Sequence, residues 1–415
     1  MQTSTKPTSQ PQTSSALEGI KILDLTSVVF GPYASQILAD YGAEVIKVES
    51  PEGDSTRNTG PRLEEGLSAI FLGVNRNKKS ICLNLKDPQA RDALLKLADT
   101  ADVLMHSVRP QKMAALGLDH ETLLARNPKL IYAGLHGFGN GGAYAGRPAY
   151  DDIIQGLSGI ADIMTIQSGT PRYLPTIAAD KTCGVAAAHA ILAALFQRER
   201  TGRGQFIEIP MFETMTSYVL VEHLYGHHLP GHSDEIGYPR VLTEWRKPYR
   251  TSDGFVCMMP YTDKHWRTFF SQSGYPQHAA DERFTSISMR TRHIAELYEL
   301  AGQIVSKHPT AHWLDFCDTH EIPAAAANKL ADLESDPHLK SVDFFTDIQN
   351  DAGHRYRFTR SPIRMEHSRV DPVMAPRLGE HTRAELIRAG LSVEIVDKML
   401  SSGAAKQHAG SSDKN

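Results

Sequence analysis

The chain has 415 residues, of which 41% are hydrophobic and 22% charged, as in a globular protein of two or more domains. Its 44 basic and 48 acidic residues give a formal net charge of −4, which provides no general field for nucleic acid or acidic membranes. The four cysteines form no CxxC pair, and no apolar run has the form of a secretory signal or the length of a membrane span. We therefore expect a cytoplasmic protein without nucleic-acid or membrane partners.

Helix and strand signals alternate between two polar end segments, 1–16 and 401–415, which we predict to be disordered tails. Strands are predicted at 20–25, 45–48, 81–85, 102–107, 129–138 and 204–211, and helices at 33–41, 88–101 and 181–200. Parallel strands joined by helices of this length are typical of a doubly wound sheet, so we predict a Rossmann-like α/β fold.

The pattern changes at about residue 225, where short strand signals such as GFVCMMPY mix with helical ones such as HIAELYELAGQIVSK. We therefore predict a large α/β domain at 17–224 and a smaller α+β domain at 225–330. A last segment, 331–400, is predicted to return to the large domain.

Two motifs suggest a cofactor or a metal, and neither has the context that it needs. GFGNGG at 137–142 matches GxGxxG, but the residues that follow contain Gly and Pro and do not open a helix for a pyrophosphate. His223 and His227 are four residues apart, but no HExxH motif or third ligand accompanies them. We predict a flexible glycine loop, ordinary polar histidines and no metal site.

Two loops with basic residues lie next to predicted strands, the first before a strand and the second after one. NRNKKS at 75–80 contains Arg76, Lys78 and Lys79, and HSVRP at 106–110 contains Arg109. Cationic side chains suit phosphate oxygens, and ligands of open α/β sheets lie outside the carboxyl ends of the strands. The loops can therefore hold the phosphates of a nucleotide-like ligand, or they are solvated turns.

Asp180 comes directly before the alanine-rich helix, in PTIAADKTCG. One interpretation is that it is only the N-cap of that helix, a position that Asp fills well. In the other, the helix N-terminus keeps the carboxylate ionised and directs it into a cleft, where it attacks a carbonyl carbon. The residues alone leave both open.

The chain resembles the class III coenzyme A transferases, the CaiB/BaiF family, from about residue 17 to residue 395. Matching segments occur in family order, among them ADYGAEVIKVE at 39–49, NRNKKSICLNLK at 75–86, RPAYDDIIQGLSG at 147–159, RTGRGQ at 200–205 and PRLGEHTRAEL at 376–386. The resemblance implies an enzyme that moves CoA between carboxylic acids, with CoA and acyl-CoA as substrates and no tightly bound cofactor.

The resemblance also implies roles for particular residues. Asp180 stands at the position of the family's nucleophile, which forms an aspartyl anhydride and then an aspartyl–CoA thioester. Backbone N–H groups at Gly137 and Gly139 are the expected oxyanion donors. An interlocked homodimer is expected, with each chain a ring threaded through its partner. The positions that match CoA contacts are Val28, Val29, Asn75, Arg76, Lys78, Lys79, Ser107, Val108 and Arg109.

The chain departs from the family at three places. It has HSVRP at 106–110 where relatives often have Glu-Asn-Phe-Arg-Pro, and Ala115 where several carry an arginine. It has MPYTDKHW at 259–266 where transferase relatives commonly have glycines. The chain therefore differs from its relatives at two places where they contact CoA, and the third loop is built differently.

Two other functions are compatible with the same sequence pattern. Racemases of the family pair the aspartate with a histidine, but here Tyr150 stands at that position, before Asp151. A phenol with an ordinary pKa near 10 is a poor general base at neutral pH, so CoA transfer is favoured. A protein that binds ligand without chemistry is the other alternative. Tyr144, Arg147, Tyr150 and Tyr173 are predicted to face the acyl pocket, where Arg147 can hold a second carboxylate.

Overall fold

The structure is a computed structural model that describes residues 15–232 and 236–410, so most of the tail predicted at 1–16 lies outside the described residues. The strands are β1 (Lys21–Leu25), β2 (Glu44–Glu49), β3 (Lys78–Leu83), β4 (Val103–His106), β5 (Ile131–His136), β6 (Gln205–Pro210), β7 (Tyr249–Arg250), β8 (Phe255–Met258), β9 (Ala324–Ala326), β10 (Phe345–Gln349), β11 (Arg355–Thr359) and β12 (Ala405–Lys406).

The α-helices include all those predicted from the sequence. They are α1 (Phe30–Asp40), α2 (Ala69–Asn75), α3 (Pro88–Ala98), α4 (Pro110–Ala115), α5 (His120–Arg126), α6 (Asp151–Leu157), α7 (Ile160–Ser168), α8 (Ala178–Thr201), α9 (Met211–His223), α10 (Asp263–Gln272), α11 (Pro276–Ala279), α12 (Ile287–Arg292), α13 (Ile294–Val305), α14 (Thr310–Thr319), α15 (Pro337–Ser341), α16 (Thr382–Arg388) and α17 (Val393–Ser402).

A seven-stranded sheet forms the centre of the first compact unit, which comprises Met1–Ile154, Ile177–Met215 and His338–Asn415. Its strand order is β12-β3-β2-β1-β4-β5-β6, and every pair except β12 with β3 is parallel. The order 3-2-1-4-5-6 is that of a doubly wound sheet, so the predicted α/β class is confirmed. In such a sheet the strand order reverses at β1 and β4, because β2 and β3 are added on one side of β1 and β4 to β6 on the other. Ligands bind in the crevice at this reversal.

Both faces of this sheet are covered, so its parallel strands have continuous apolar sequences rather than alternating ones. In β1, the residues from Ile22 to Leu25 are all buried, including the polar Asp24. Helix α8 ends as its sequence predicts, with Gly202 in the left-handed conformation at φ 71°. Of the described helices, α8 alone has the length and composition to cross a membrane, and half of its most apolar stretch is buried inside the protein.

The second compact unit comprises Gln155–Thr176 and Thr216–Pro337. Its core contains Trp266, Phe269 and Trp313, and its three-stranded sheet has the order β7-β8-β9. The unit differs from the predicted small domain because it includes residues 155–176. The sequence separates that segment from the rest of the unit, whereas in the structure the Gln167 side chain donates to the Arg246 carbonyl at 3.1 Å.

The C-terminal segment differs from the predicted tail at 401–415. Helix α17 ends at Ser402, and β12 then pairs with β3, with Ala405 opposite Leu83. The Thr382 hydroxyl donates to the Lys406 carbonyl at 2.7 Å and holds this strand on the edge of the sheet. A two-residue strand of small and polar residues has no hydrophobic pattern, so the sequence did not indicate it. Residues 411–415 lie outside the described residues.

Candidate active site

A cavity of about 300 Å³ opens at the carboxyl ends of β1, β4 and β5, beside the first turn of α8. Ser27 and Val28 follow β1, Ser107 follows β4, and Gly137 follows β5. Asp180 lines the same cavity. The cavity therefore lies where an open α/β sheet binds its ligand, at the reversal between β1 and β4.

Asp180 is the third residue of α8 and is not its N-cap. The N-cap is Ile177, which makes no side-chain capping bond, so the interpretation of Asp180 as a simple cap is wrong. The backbone N–H of Asp180 donates instead to the Asp151 carboxylate at 3.0 Å. That contact fixes the start of α8 against the start of α6 and leaves the Asp180 carboxylate on the cavity wall.

Burial raises the pKa of the Asp180 carboxyl to about 7, and the nearby charge of Asp151 adds to the rise. The expectation that the helix N-terminus keeps this group fully ionised is therefore not met near neutral pH. When ionised, a carboxylate with a raised pKa is a stronger base and a better nucleophile than an ordinary one. Cys183 lies one turn further on, and burial raises its pKa to about 12, so it stays a thiol.

The structure brings together seven of the residues singled out from the sequence. They all line this cavity, and they are Val28, Ser107, Arg109, Gly137, Arg147, Tyr150 and Asp180. The Arg147 guanidinium also stacks over the ring of Tyr144 at 4.6 Å. Val29, Val108, Gly139 and Tyr144 are near these residues in the chain but do not line the cavity, and Tyr173 belongs to the second compact unit.

Two cations of the first basic loop are neutralised by acids distant in sequence. Arg76 Nε donates to Asp40 Oδ1 at 3.0 Å. Lys79 Nζ lies 2.6 Å from the carboxylate of Glu44 and 2.8 Å from that of Glu385. The charges that suggested a phosphate site are thus paired within the protein, and their predicted contact with CoA stays a prediction.

Asn75 and Lys78, the other two residues of that loop that match CoA contacts, are buried. Lys78 Nζ lies 3.3 Å from Asp24 Oδ2 and donates to the Asn75 side-chain oxygen at 2.8 Å. Burial lowers the pKa of Lys78 to about 7, and the Asp24 charge acts in the opposite direction. Neither Asn75 nor Lys78 lines the cavity with Asp180, so their predicted contact with CoA also stays a prediction.

As predicted, no helix begins at the glycine loop at 137–142. Two backbone N–H groups of the loop are already bonded to acidic side chains. Gly139 N–H donates to Glu213 Oε1 at 3.0 Å, and Asn140 N–H donates to Glu208 Oε1 at 2.9 Å. A Cβ at Gly137 would lie 2.4 Å from that of Ala149, so only glycine fits there. Of the two expected oxyanion donors, Gly137 lines the cavity and Gly139 is already bonded.

Three features of the cavity had no recognised signal in the sequence. Val28 has φ 70°, a rare conformation for a β-branched residue, and its N–H donates to Asp54 at 3.3 Å. Asp151 contacts the Asp180 backbone from 29 residues away. His136, the last residue of β5, also lines the cavity. Its place directly before the glycine loop is the signal that could have identified it.

Comparisons with known proteins identify the family. The model of CoA-transferase family III matches residues 17–382. The succinate–glutarate CoA-transferase of Agrobacterium fabrum is 32% identical over 90% of this chain and 96% of its own. The succinyl-CoA:mesaconate CoA-transferase of Haloarcula hispanica is 34% identical over the same shares of the two chains. The chain belongs to CoA-transferase family III.

A solved structure agrees with this assignment. The crystal structure of a CaiB/BaiF family protein from Brucella suis has a TM-score of 0.76 and 32% identity, over 90% of this chain and 99% of its own. The resemblance to class III enzymes is thereby confirmed. The protein is a CoA-transferase, which moves CoA from an acyl-CoA to a carboxylic acid.

The contact between Asp151 and Asp180 predicts how CoA transfer depends on pH. Asp151→Asn keeps an oxygen for the Asp180 N–H but removes the neighbouring charge, so the pKa of Asp180 should fall toward its ordinary value. Because the nucleophile must be ionised, the acidic limb of kcat/KM should move to lower pH. The ratio of activity at pH 6 to that at pH 8 should rise roughly fourfold, measured by a discontinuous acyl-CoA assay.

Asp152→Asn is the matched control, since Asp152 is the exposed neighbour of Asp151. This variant should keep the wild-type pH profile, because solvent screens an exposed charge. An unchanged profile in Asp151→Asn, or an equal change in both variants, would contradict the account of the Asp180 pKa.

Proposed function

We propose that the protein transfers CoA between carboxylic acids through covalent intermediates on Asp180, and that its acids carry a second carboxylate. The observation that carries the proposal is the buried Asp180 carboxylate on the wall of the cavity at the β1–β4 reversal. An aspartate in such a place, with its pKa raised to about 7, is suited to attack a carbonyl carbon.

In the first half of the reaction, an Asp180 oxygen attacks the thioester carbon of the donor acyl-CoA. The C–S bond breaks, which yields a mixed anhydride and the CoA thiolate. The thiolate then attacks the Asp180 carbonyl carbon and expels the donor acid as its carboxylate. The enzyme now holds CoA as an aspartyl thioester, and no net proton transfer has taken place.

In the second half, the carboxylate of the acceptor attacks the Asp180 thioester and expels the thiolate again. The thiolate attacks the acyl carbon of the new anhydride, which releases the product acyl-CoA and restores the Asp180 carboxylate. Each attack develops an oxyanion. The Gly137 N–H is our candidate donor to it, because Gly139 N–H donates to Glu213.

CoA would reach Asp180 past the turns after β1 and β4. Val28, Ser107 and Arg109 line the cavity on that side, and the exposed Arg109 guanidinium is available to phosphate oxygens. In this proposal the protein acts in the cytoplasm as an interlocked homodimer. The dimer and its site at the subunit interface rest on the family resemblance.

The names of the relatives support dicarboxylic substrates, since succinate, glutarate and mesaconate each carry two carboxylates. The cavity offers Arg147 for the second carboxylate. Its guanidinium lies over the Tyr144 ring, which packs edge-on against Phe138 at 5.4 Å between centroids. The aromatic pair would hold the cation in place and so lower the entropy cost of binding.

A panel of acyl-CoA donors and free acids tests the transfer through Asp180. New acyl-CoA species, followed by mass spectrometry, should form with wild type and not with Asp180→Ala or Asp180→Asn, in which the loss should exceed about a thousandfold. Asp152→Asn serves as the control and should transfer CoA normally. Incorporation of solvent deuterium at the α-carbon of a branched acyl-CoA, without movement of CoA, would instead indicate a racemase.

Arg147→Ala tests the second carboxylate. The KM for a diacid acceptor such as succinate should rise about tenfold, while the KM for butyrate should hardly change, because only the diacid loses a charge-assisted hydrogen bond. Arg147→Lys keeps the charge, so its KM for the diacid should lie between those of wild type and Arg147→Ala. Equal effects of Arg147→Ala on diacid and monoacid would exclude this role.

A further inference from the structure

The turn after β1, residues 26–28, has a conformation that its own sequence disfavours. Val28 has φ 70°, in the left-handed region, where a β-branched side chain is strained and a glycine is not. Val28 is half-buried and, together with Ser27, lines the cavity that contains Asp180. A strained backbone persists only where the surrounding contacts determine it, and such residues concentrate at functional sites. The contacts that hold this turn therefore bear on the cavity.

One buried ion pair, Lys47 with Asp54, holds the turn at two points. Lys47, on β2, donates from Nζ to the Thr26 carbonyl oxygen at 2.9 Å. Asp54, in the loop after β2, accepts the Val28 N–H at Oδ1, at 3.3 Å. Lys47 Nζ and Asp54 Oδ2 lie 2.9 Å apart, with side-chain exposures of 0% and 1%. The two members of one pair thus fix the carbonyl before Ser27 and the N–H after it.

The loop after β2 holds Asp54 in this position. Asp54 Oδ1 also accepts from the Thr56 N–H at 3.0 Å and from the Thr56 hydroxyl at 2.7 Å. The Asp54 N–H donates to Glu49 Oε2 at 3.0 Å, and Glu49 is paired with Arg57 at 2.6 Å. Asp54 therefore belongs to a buried network that connects the ends of β1 and β2, rather than to a mobile surface contact.

Both members of the pair are charged at neutral pH. Burial disfavours the charged form of Lys47, but the carboxylates of Asp24 and Asp54 outweigh this effect and raise the pKa of Lys47. Burial acts against the charge of Asp54 as well, and the Lys47 ammonium outweighs it and lowers the pKa of Asp54. Because removal of either charge would leave the other buried without this partner, the pair responds to substitution as a unit.

We propose that Asp54, together with Lys47, is a positioning residue for CoA, which fixes the strained turn at Val28 against which the donor acyl-CoA binds. This inference rests on the proposed function, in which CoA reaches Asp180 past the turns after β1 and β4. Asp54 is buried and does not line the cavity, so it acts on the substrate through Val28. Without the pair, the turn relaxes from the left-handed conformation and the wall on the CoA side changes shape.

A double-mutant cycle between Asp54 and Val28 in the full-length enzyme tests the proposal. The dissociation constant of free CoA, measured by isothermal titration calorimetry, should rise about tenfold in Asp54→Ala, because the strained turn is no longer held. In a Val28→Gly background the left-handed conformation is not strained, so the same Asp54→Ala substitution should raise the dissociation constant less than about threefold. A role in overall stability alone would give equal effects in both backgrounds.

The kinetic constants of CoA transfer provide a second measurement. In Asp54→Ala the KM for the acyl-CoA donor should rise about tenfold, while kcat should stay within about threefold, because the reacting Asp180 is unchanged. Asp102→Ala is the matched control. Asp102 is paired with Arg198 at 2.7 Å beside the start of β4, at the opposite end of the strands from the cavity. This variant should leave the CoA dissociation constant and the donor KM unchanged.

The outcomes separate this inference from the proposed function. Absence of CoA transfer by wild type with any donor would contradict the proposed function, whereas the CoA dissociation constants still decide the role of Asp54. If folded Asp54→Ala binds CoA as tightly as wild type, or loses the same affinity in both backgrounds, the positioning role is wrong.

Asp54→Asn replaces Asp54→Ala if circular dichroism shows that the alanine variant does not fold. The amide keeps an oxygen for the Val28 N–H but removes the charge that pairs with Lys47. The loss of CoA affinity should again be larger with Val28 than in the Val28→Gly background. Equal losses in the two backgrounds would lead to the same rejection.

Discussion

The structure depends on holding one carboxylate, that of Asp180, in a buried cavity against a second acidic residue. The strand order places the cavity at the reversal between β1 and β4, and the start of α8 brings Asp180 to its wall. The N–H of Asp180 is bonded to Asp151, so the neighbouring charge that raises its pKa is also the contact that fixes its position. An isosteric substitution such as Asp151→Asn is therefore needed to remove the Asp151 charge while keeping the hydrogen bond from the Asp180 N–H.

A buried polar network supports the other side of the cavity. Lys47 Nζ lies 2.9 Å from Asp54 and donates to the Thr26 carbonyl at 2.9 Å, while Asp54 accepts from the N–H of Val28. These bonds hold the turn after β1 with Val28 at φ 70°. Strained backbone persists only where the surrounding structure determines it, and it concentrates at functional sites. The ion pair between Lys47 and Asp54 thus maintains the shape of the wall at Val28.

The sequence predicted what depends on local pattern and missed what depends on distant partners. Apolar runs and helical spacing located the strands of the parallel sheet and helix α8, whereas Asp180 was singled out by the family resemblance, since the residues around it left its role open. The raised pKa comes from burial and from Asp151, which no local pattern reports. The basic loop was visible as a cluster, but its neutralisation by Asp40 and Glu385 requires the folded chain. His136 was overlooked because a histidine that ends a strand has no distinctive spacing, and only its place directly before the glycine loop marks it.

The central claim is that CoA becomes attached to Asp180. The most direct measurement is to incubate the enzyme with an active acyl-CoA donor and no acceptor, to quench in acid, and to map the digested peptides by mass spectrometry. The account predicts that the peptide containing Asp180 carries CoA as a thioester, and that free acceptor removes it. Turnover with Asp180 unmodified and CoA attached elsewhere, or undiminished transfer by Asp180→Asn, would contradict the account.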